Sequence, residues 1–377
     1  MSQVIKYETG LGDILDSSIT RLDTFLADGA IEFIGSLWDP EVGGFYYSQS
    51  GRDYRGFLPS DDSTLQVLNF ISSGAVQGLK GRLSDKLPDD IKKTIFDFSE
   101  KSGSKEKAIK EKLGALPASL HAPKPKIKSA SHKKYSSVDE LTDYLDEIMA
   151  SGDFATKLAS ELENVKNSGL TGEMFDYLDK SVFTENERYA LATEIYKIGS
   201  VYNDEKREIL NARKLLENVL SLITSNDIPE SIIEIYNAWA ALRTLLQNAD
   251  IRGESEKSAV YSFVRSMSES LIDKTLEKLS VFKKSDGGYS YYQGFAPDKL
   301  SGKRVALGVP EGDVNATFVV LHGVRGNIFS SLGLTVPPLL PEESFDVLID
   351  MMRSAEPPEK RRIPIKFIFG NLFRGLK

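Results

Sequence analysis

Apolar residues recur at three- and four-residue spacing through most of this chain, and strict alternation is almost absent, so the pattern predicts helices rather than strands. The helical pattern runs through residues 15–37, 63–79, 89–98, 138–149, 154–165, 185–202 and 204–223. It resumes through 229–246, 255–282, 315–332 and 342–352, which makes about a dozen helices joined by short connections. Asp227-Ile228-Pro229-Glu230-Ser231 reads as a helix start with Pro229 in the first turn. Trp239, between Ala238 and Ala240, is expected in the core where helices approach closely. His322 lies on an otherwise apolar helix and is likewise expected to be a core residue. The middle helices show no fixed short period of the kind that marks a regular solenoid.

One unit interrupts this pattern near each end of the chain. The first copy is Trp38-Asp39-Pro40-Glu41-Val42-Gly43-Gly44-Phe45-Tyr46-Tyr47, followed by Asp61-Asp62-Ser63-Thr64. The second is Asp286-Gly287-Gly288-Tyr289-Ser290-Tyr291-Tyr292, followed by Glu311-Gly312-Asp313-Val314-Asn315-Ala316-Thr317. A glycine pair lets the chain reverse where a helix ends, because glycine takes positive φ without a steric penalty. The aromatics then alternate sides of a short extended stretch. The acidic residues stand where side-chain oxygens accept hydrogen bonds from the unpaired amides of the next helix. A negative charge there also suits the helix dipole.

The same residue types admit chemistry. A carboxyl group desolvated by aromatic walls, or set beside a second carboxylate, has a raised pKa and can act as a general acid. Asp61 and Asp62, with Trp38, Phe45, Tyr46 and Tyr47 near them in sequence, are candidates for such a site. Asp313 and Glu311 are candidates for the other member of an acid–base pair, with Tyr289, Tyr291 and Tyr292 as wall residues. Capping and turn formation explain the same positions without chemistry.

The glycine-glycine-aromatic turn followed by an acidic, Ser/Thr-containing helix start resembles the repeat unit of the α/α-toroid proteins, the superfamily of prenyltransferase β subunits and terpenoid cyclases. The resemblance covers residues 33–72 and 279–333. It implies an all-α toroid in which hairpins of inner and outer helices surround a central funnel, with the first and last hairpins as neighbours. It also implies an apolar, isoprenoid-like ligand. Protein prenyltransferases hold zinc with an aspartate, a cysteine and a histidine, and a chain without cysteine cannot build that site. Class II terpenoid cyclases protonate substrate from an Asp-x-Asp-Asp-Thr motif. Pro59-Ser60-Asp61-Asp62-Ser63 matches its second half and has Pro59 in place of the first aspartate. Toroids of similar shape also carry glycosidases and polysaccharide lyases, and aromatics beside carboxylates suit sugar faces equally well.

Composition narrows the classes further. The 377 residues, 41% hydrophobic and 27% charged, describe an ordinary globular chain, expected as one toroid domain over residues 1–377. No long apolar run and no leader-like start are visible, so a cytoplasmic location is expected. With no cysteine and three histidines, thiolate and histidine-rich metal centres are excluded while an all-carboxylate calcium or magnesium site is not, and no cofactor is called for. The formal charge of -8 is uneven: residues 101–134 hold ten lysines against Glu106 and Glu111. That stretch, to about 137, reads as a basic linker or excursion, and from 116 onward it has too little apolar material to pack. The acidic remainder argues against nucleic acid as a partner. Residues 360–377 carry six basic residues and no acid among Ile363, Ile365, Phe367 and other apolar side chains. This tail suits an anionic membrane surface or a protein partner, or packing on the first helices near Asp13, Asp16 and Asp23. Three readings follow: an isoprenoid-binding toroid, a carbohydrate-active toroid, and a non-catalytic scaffold for a protein or membrane.

Overall fold

The computed structural model describes residues 9–102, 105–114, 135–150, 154–184, 188–300 and 302–364. Most of the basic stretch and the end of the tail lie outside them. The described chain is mostly helical. It opens with α1 (Asp13–Ala27), α2 (Ala30–Ser36), α3 (Gln49–Asp53), α4 (Asp61–Phe70), α5 (Leu83–Lys86), α6 (Asp89–Ser102) and α7 (Glu106–Lys112). Next come α8 (Val138–Met149), α9 (Phe154–Ser168), α10 (Thr171–Ser181), α11 (Arg188–Asp204) and α12 (Ala212–Thr224). The remainder is α13 (Ile232–Ala249), α14 (Glu254–Ser266), α15 (Ser268–Phe282), α16 (Val314–Phe318), α17 (Arg325–Ser331) and α18 (Glu343–Ser354). Two antiparallel pairs of two-residue strands, Trp38–Asp39 with Gly44–Phe45 and Lys299–Leu300 with Lys303–Arg304, complete it.

Several expected helices are broken, each for a local reason. The stretch expected over 15–37 divides at Gly29, whose φ of 73° is left-handed. The one expected over 255–282 divides at Met267, which leaves helical geometry between α14 and α15. The helix expected from 204 starts only at Ala212, after Lys206 and Asn211 take positive φ. Ser231 stands at the N-terminus of α13, so Pro229 precedes the helix instead of lying in its first turn. Part of the expected linker is the helix α7, which packs on α4 and α6. Trp239 is buried in the core as expected.

Ten of the helices lie in two rows of neighbours. In one row α9, α11, α13, α16–α17, α4 and α7 touch in that order, and in the other α12, α15 and α1 do. Direction follows from the cross-contacts. Asn237 donates to Thr193 at 2.9 Å near the start of α13 and α11, and Asn203 donates to the Thr244 carbonyl at 2.9 Å near their ends. Gln66 and Phe70 of α4 meet Asn315 and Phe318 of α16. Arg21 of α1 pairs with Asp273 of α15 at 2.7 Å, and further along Lys283 donates to the Phe25 carbonyl. The N-terminal helices α1 and α4 therefore pack on α15 and α16 near the other end of the chain.

A buried ion pair fastens the same junction. Arg325 on α17 and Asp23 on α1 are each 3% exposed and 2.7 Å apart. Asp23 is thus committed to the core, and Asp16 accepts from Thr9. Of the C-terminal segment, residues 360–364 are described. Arg361 exchanges backbone hydrogen bonds with Asp53 and Arg55, and the Lys360 ammonium sits 4.7 Å from the Tyr46 ring centre. No helix among the described residues is long and apolar enough to cross a membrane.

Candidate functional site

The two glycine units are structurally equivalent, and their hydrogen bonds fix the register. Gly43 and Gly287 have φ of 85° and 86°, so the first glycine of each pair supplies the reversal. The second glycine is required by space. A Cβ on Gly44 would meet the Phe98 ring at 2.9 Å, and one on Gly288 the Phe33 ring at 2.6 Å. Beyond the turn, the Phe45 amide donates to Thr64 Oγ1 at 3.0 Å, as the Tyr289 amide does to Thr317 Oγ1. Ser60 Oγ caps α4 by accepting from the Ser63 amide, and Asp313 caps α16 by accepting from the Ala316 amide.

Ser60, not Asp61, is therefore the counterpart of Asp313. Asp61 and Asp62 correspond to Val314 and Asn315 and sit half-exposed in the first turn of α4. Asp62 reaches Lys105 at 3.5 Å.

Glu311 and Asp313 join the first unit to the second. Tyr47 donates through its hydroxyl to Asp313 Oδ1 at 3.0 Å, and the Tyr291 amide donates to Oδ2 at 2.9 Å. The Val314 amide donates to the Tyr47 carbonyl at 3.0 Å. Glu311 accepts from Ser48 Oγ at 3.0 Å, from Ser50 Oγ at 2.5 Å and from the Ser50 amide at 2.6 Å. Asp313 has no exposed surface. Burial pushes its carboxyl up to about 7 against the pull of these donors, with Glu311 adding to the rise. Burial also raises Glu311, and it raises the Tyr47 phenol with Asp313 contributing.

The expected aromatic walls are packed. Trp38, Phe45, Tyr46, Tyr47 and Tyr289 are each at most 2% exposed. Trp38 stacks on Phe45, Tyr289 on Phe25, and Tyr46 donates to Asp39 at 2.7 Å. Tyr291 is half-buried and Tyr292 is 38% exposed, with their rings edge to face at the surface.

Open space lies elsewhere. A cleft of about 650 Å³ runs between α10, α11 and α12, lined by Phe183, Arg188, Asn211 and Lys214 among others. A second, of about 380 Å³, opens where α13, α17 and the ends of two π-helical turns meet. Those turns are Ile71–Ala75, continuing α4, and Val319–Val324, between α16 and α17. Its wall holds Lys80, Tyr236, Arg243, His322, Arg325 and Asn327, and no carboxylate. His322 is exposed there instead of buried in the core, because the wide π turn shifts it off the apolar face of the helix. Gly323 lets the Tyr236 ring lie against the turn, since a Cβ would stand 2.8 Å from it. None of the carboxylates Asp61, Asp62, Glu311 or Asp313 lines either cleft.

No family model and no solved structure matches this chain. Among curated proteins it is similar to the toxin YwqJ of Bacillus subtilis strain 168, with 23% identity over 212 residues. The match takes in 55% of this chain and 31% of that protein, so the chain spans about a third of the length of the relative it matches.

Proposed function

We propose that this chain is an α/α toroid that works as a ligand-binding ring, in which the two glycine units close the ring and the ligand site is the 380 Å³ cleft on the inner row of helices. The observation that carries this reading is the packing of α1 and α4 on α15 and α16 within rows of neighbouring helices. A ring built this way needs a joint, and Tyr47, Ser48, Ser50, Glu311 and Asp313 form one with every carboxylate oxygen hydrogen-bonded. The isoprenoid and carbohydrate readings place substrate between the Asp61–Asp62 loop and the Asp313 loop. The packed aromatics between those loops favour closure over catalysis.

One observation favours a second reading. Asp313, held up to about 7 beside Tyr47 and Tyr291, has the protonation state of a cyclase-like general acid. On that reading an isoprenoid substrate would be protonated at Asp313, and Asp313→Asn would abolish turnover of an allylic or polyene substrate. Small-angle scattering of the full chain tests the ring. A closed ring gives a compact profile, and an open superhelix of the same hairpins gives a longer maximum dimension and overturns the reading.

A further inference from the structure

The cleft on the inner row has an unusual balance of donors and acceptors. Arg243 Nε is buried in its wall without a hydrogen-bond partner, and Asn327 beside it reaches the Tyr236 hydroxyl. Buried polar groups are nearly always satisfied, so the orphan Arg243 donor calls for an acceptor from outside the chain. Charge points the same way. Lys80, Arg243 and His322 line the cleft, none of them makes an ion pair among the described residues, and no carboxylate faces them. Arg325 is different: its charge is answered by Asp23, and it donates to the Pro337 carbonyl. What the free groups lack is an anion with several acceptor oxygens.

The rest of the wall limits what that anion is attached to. Ser73, Ser330, Asn327 and the Tyr236 hydroxyl contribute polar atoms to a lining that Ala75, Leu321 and Val336, among others, make about half apolar. A volume of about 380 Å³ admits a phosphate group with a sugar-sized polar ring, and lies near the low end of small-molecule sites. An extended hydrocarbon chain would leave the polar lining unpaired at a cost on the order of 1–3 kcal/mol per group.

We infer that this cleft binds a polar phosphorylated small molecule, whose phosphate is held by Arg243, Lys80 and His322. Arg243 supplies a planar fork suited to paired phosphate oxygens, and Lys80 supplies a point charge. The inference rests on the proposed role of the cleft as the ring's ligand site, and its test is independent of ring closure, which scattering decides.

The experiment is isothermal titration of the full-length protein with inorganic phosphate, glucose 6-phosphate and geranyl phosphate at fixed ionic strength. Saturable binding of glucose 6-phosphate, tighter than inorganic phosphate, is expected. Arg243→Met and Lys80→Met should each weaken it at least tenfold, while Lys214→Met in the larger cleft leaves it unchanged. His322→Ala, at an exposed position, gives a reduction readable even if Arg243→Met does not fold. Absence of saturable binding by any phosphate compound overturns the inference, as does undiminished binding by both Lys80→Met and His322→Ala. Tighter binding of geranyl phosphate than of the sugar phosphate overturns the polar ligand class.

Discussion

Gly287→Ala probes the joint of the proposed ring at one atom. A Cβ there would lie 2.3 Å from the Gly29 carbonyl oxygen and 2.9 Å from its Cα, against backbone that has no flexible end to move aside. Two costs add. Holding alanine at a φ of 86° costs roughly 1–2 kcal/mol, and displacing the α1–α2 corner costs roughly 1–3 kcal/mol as over-packing does. Gly169 isolates the first cost, since its φ is 74° and nothing lies within 4 Å of its Cβ direction. Urea unfolding should therefore place Gly287→Ala below Gly169→Ala by about 1–3 kcal/mol at an unchanged m value. Gly43→Ala, whose Cβ would lie 2.4 Å from the Thr94 carbonyl oxygen, should behave like Gly287→Ala. If Gly287→Ala is no less stable than Gly169→Ala, the α1–α2 corner does not rest on the second glycine turn, and the closure is refuted.

Two further outcomes follow from the joint. Asp313 has a folded pKa of about 7 against an ordinary 3.8, so the folded state holds a proton that the unfolded state releases. Its contribution is present below pH ~4 and is lost as pH rises to about 7, amounting to at most roughly 4 kcal/mol. Asp313→Asn keeps a capping oxygen and should flatten that part of the stability profile; an unchanged slope would contradict the assignment. At the other unit, Ser60→Ala should cost about 1 kcal/mol in thermal or urea unfolding, whereas Asp61→Asn and Asp62→Asn should each cost less than about 0.5 kcal/mol. Equal losses at the three positions would move the cap away from Ser60.

Helical content was legible because burial of one helix face writes a three- and four-residue period into the sequence. Breaks were harder to read. Gly29 and Met267 interrupt apolar patterns that continue on both sides, and only the packing at the bend reveals them. Helix α10 had a readable signal in Met174, Phe175 and Leu178, all buried, but its short span placed it between better-defined neighbours. The repeat was visible, yet Asp61 and Asp62 drew the alignment one residue past Ser60, because a serine cap and an aspartate cap look different while making the same bond. The cleft had no sequence signature. Lys80, Arg243 and His322 come from three separate segments, and a π turn that brings His322 outward leaves no mark in the apolar period.

The most direct test of the proposed ring is a cross-link between α4 and α16. The chain has no cysteine, so a double variant Gln66→Cys, Asn315→Cys carries the only two thiols. In the wild-type protein these side chains meet at 3.4 Å across α4 and α16. A short bis-maleimide should convert the double variant to a monomeric species with altered mobility on a denaturing gel, and leave each single variant unchanged. If the double variant forms only intermolecular adducts or none, α4 and α16 are not neighbours and the ring does not close there.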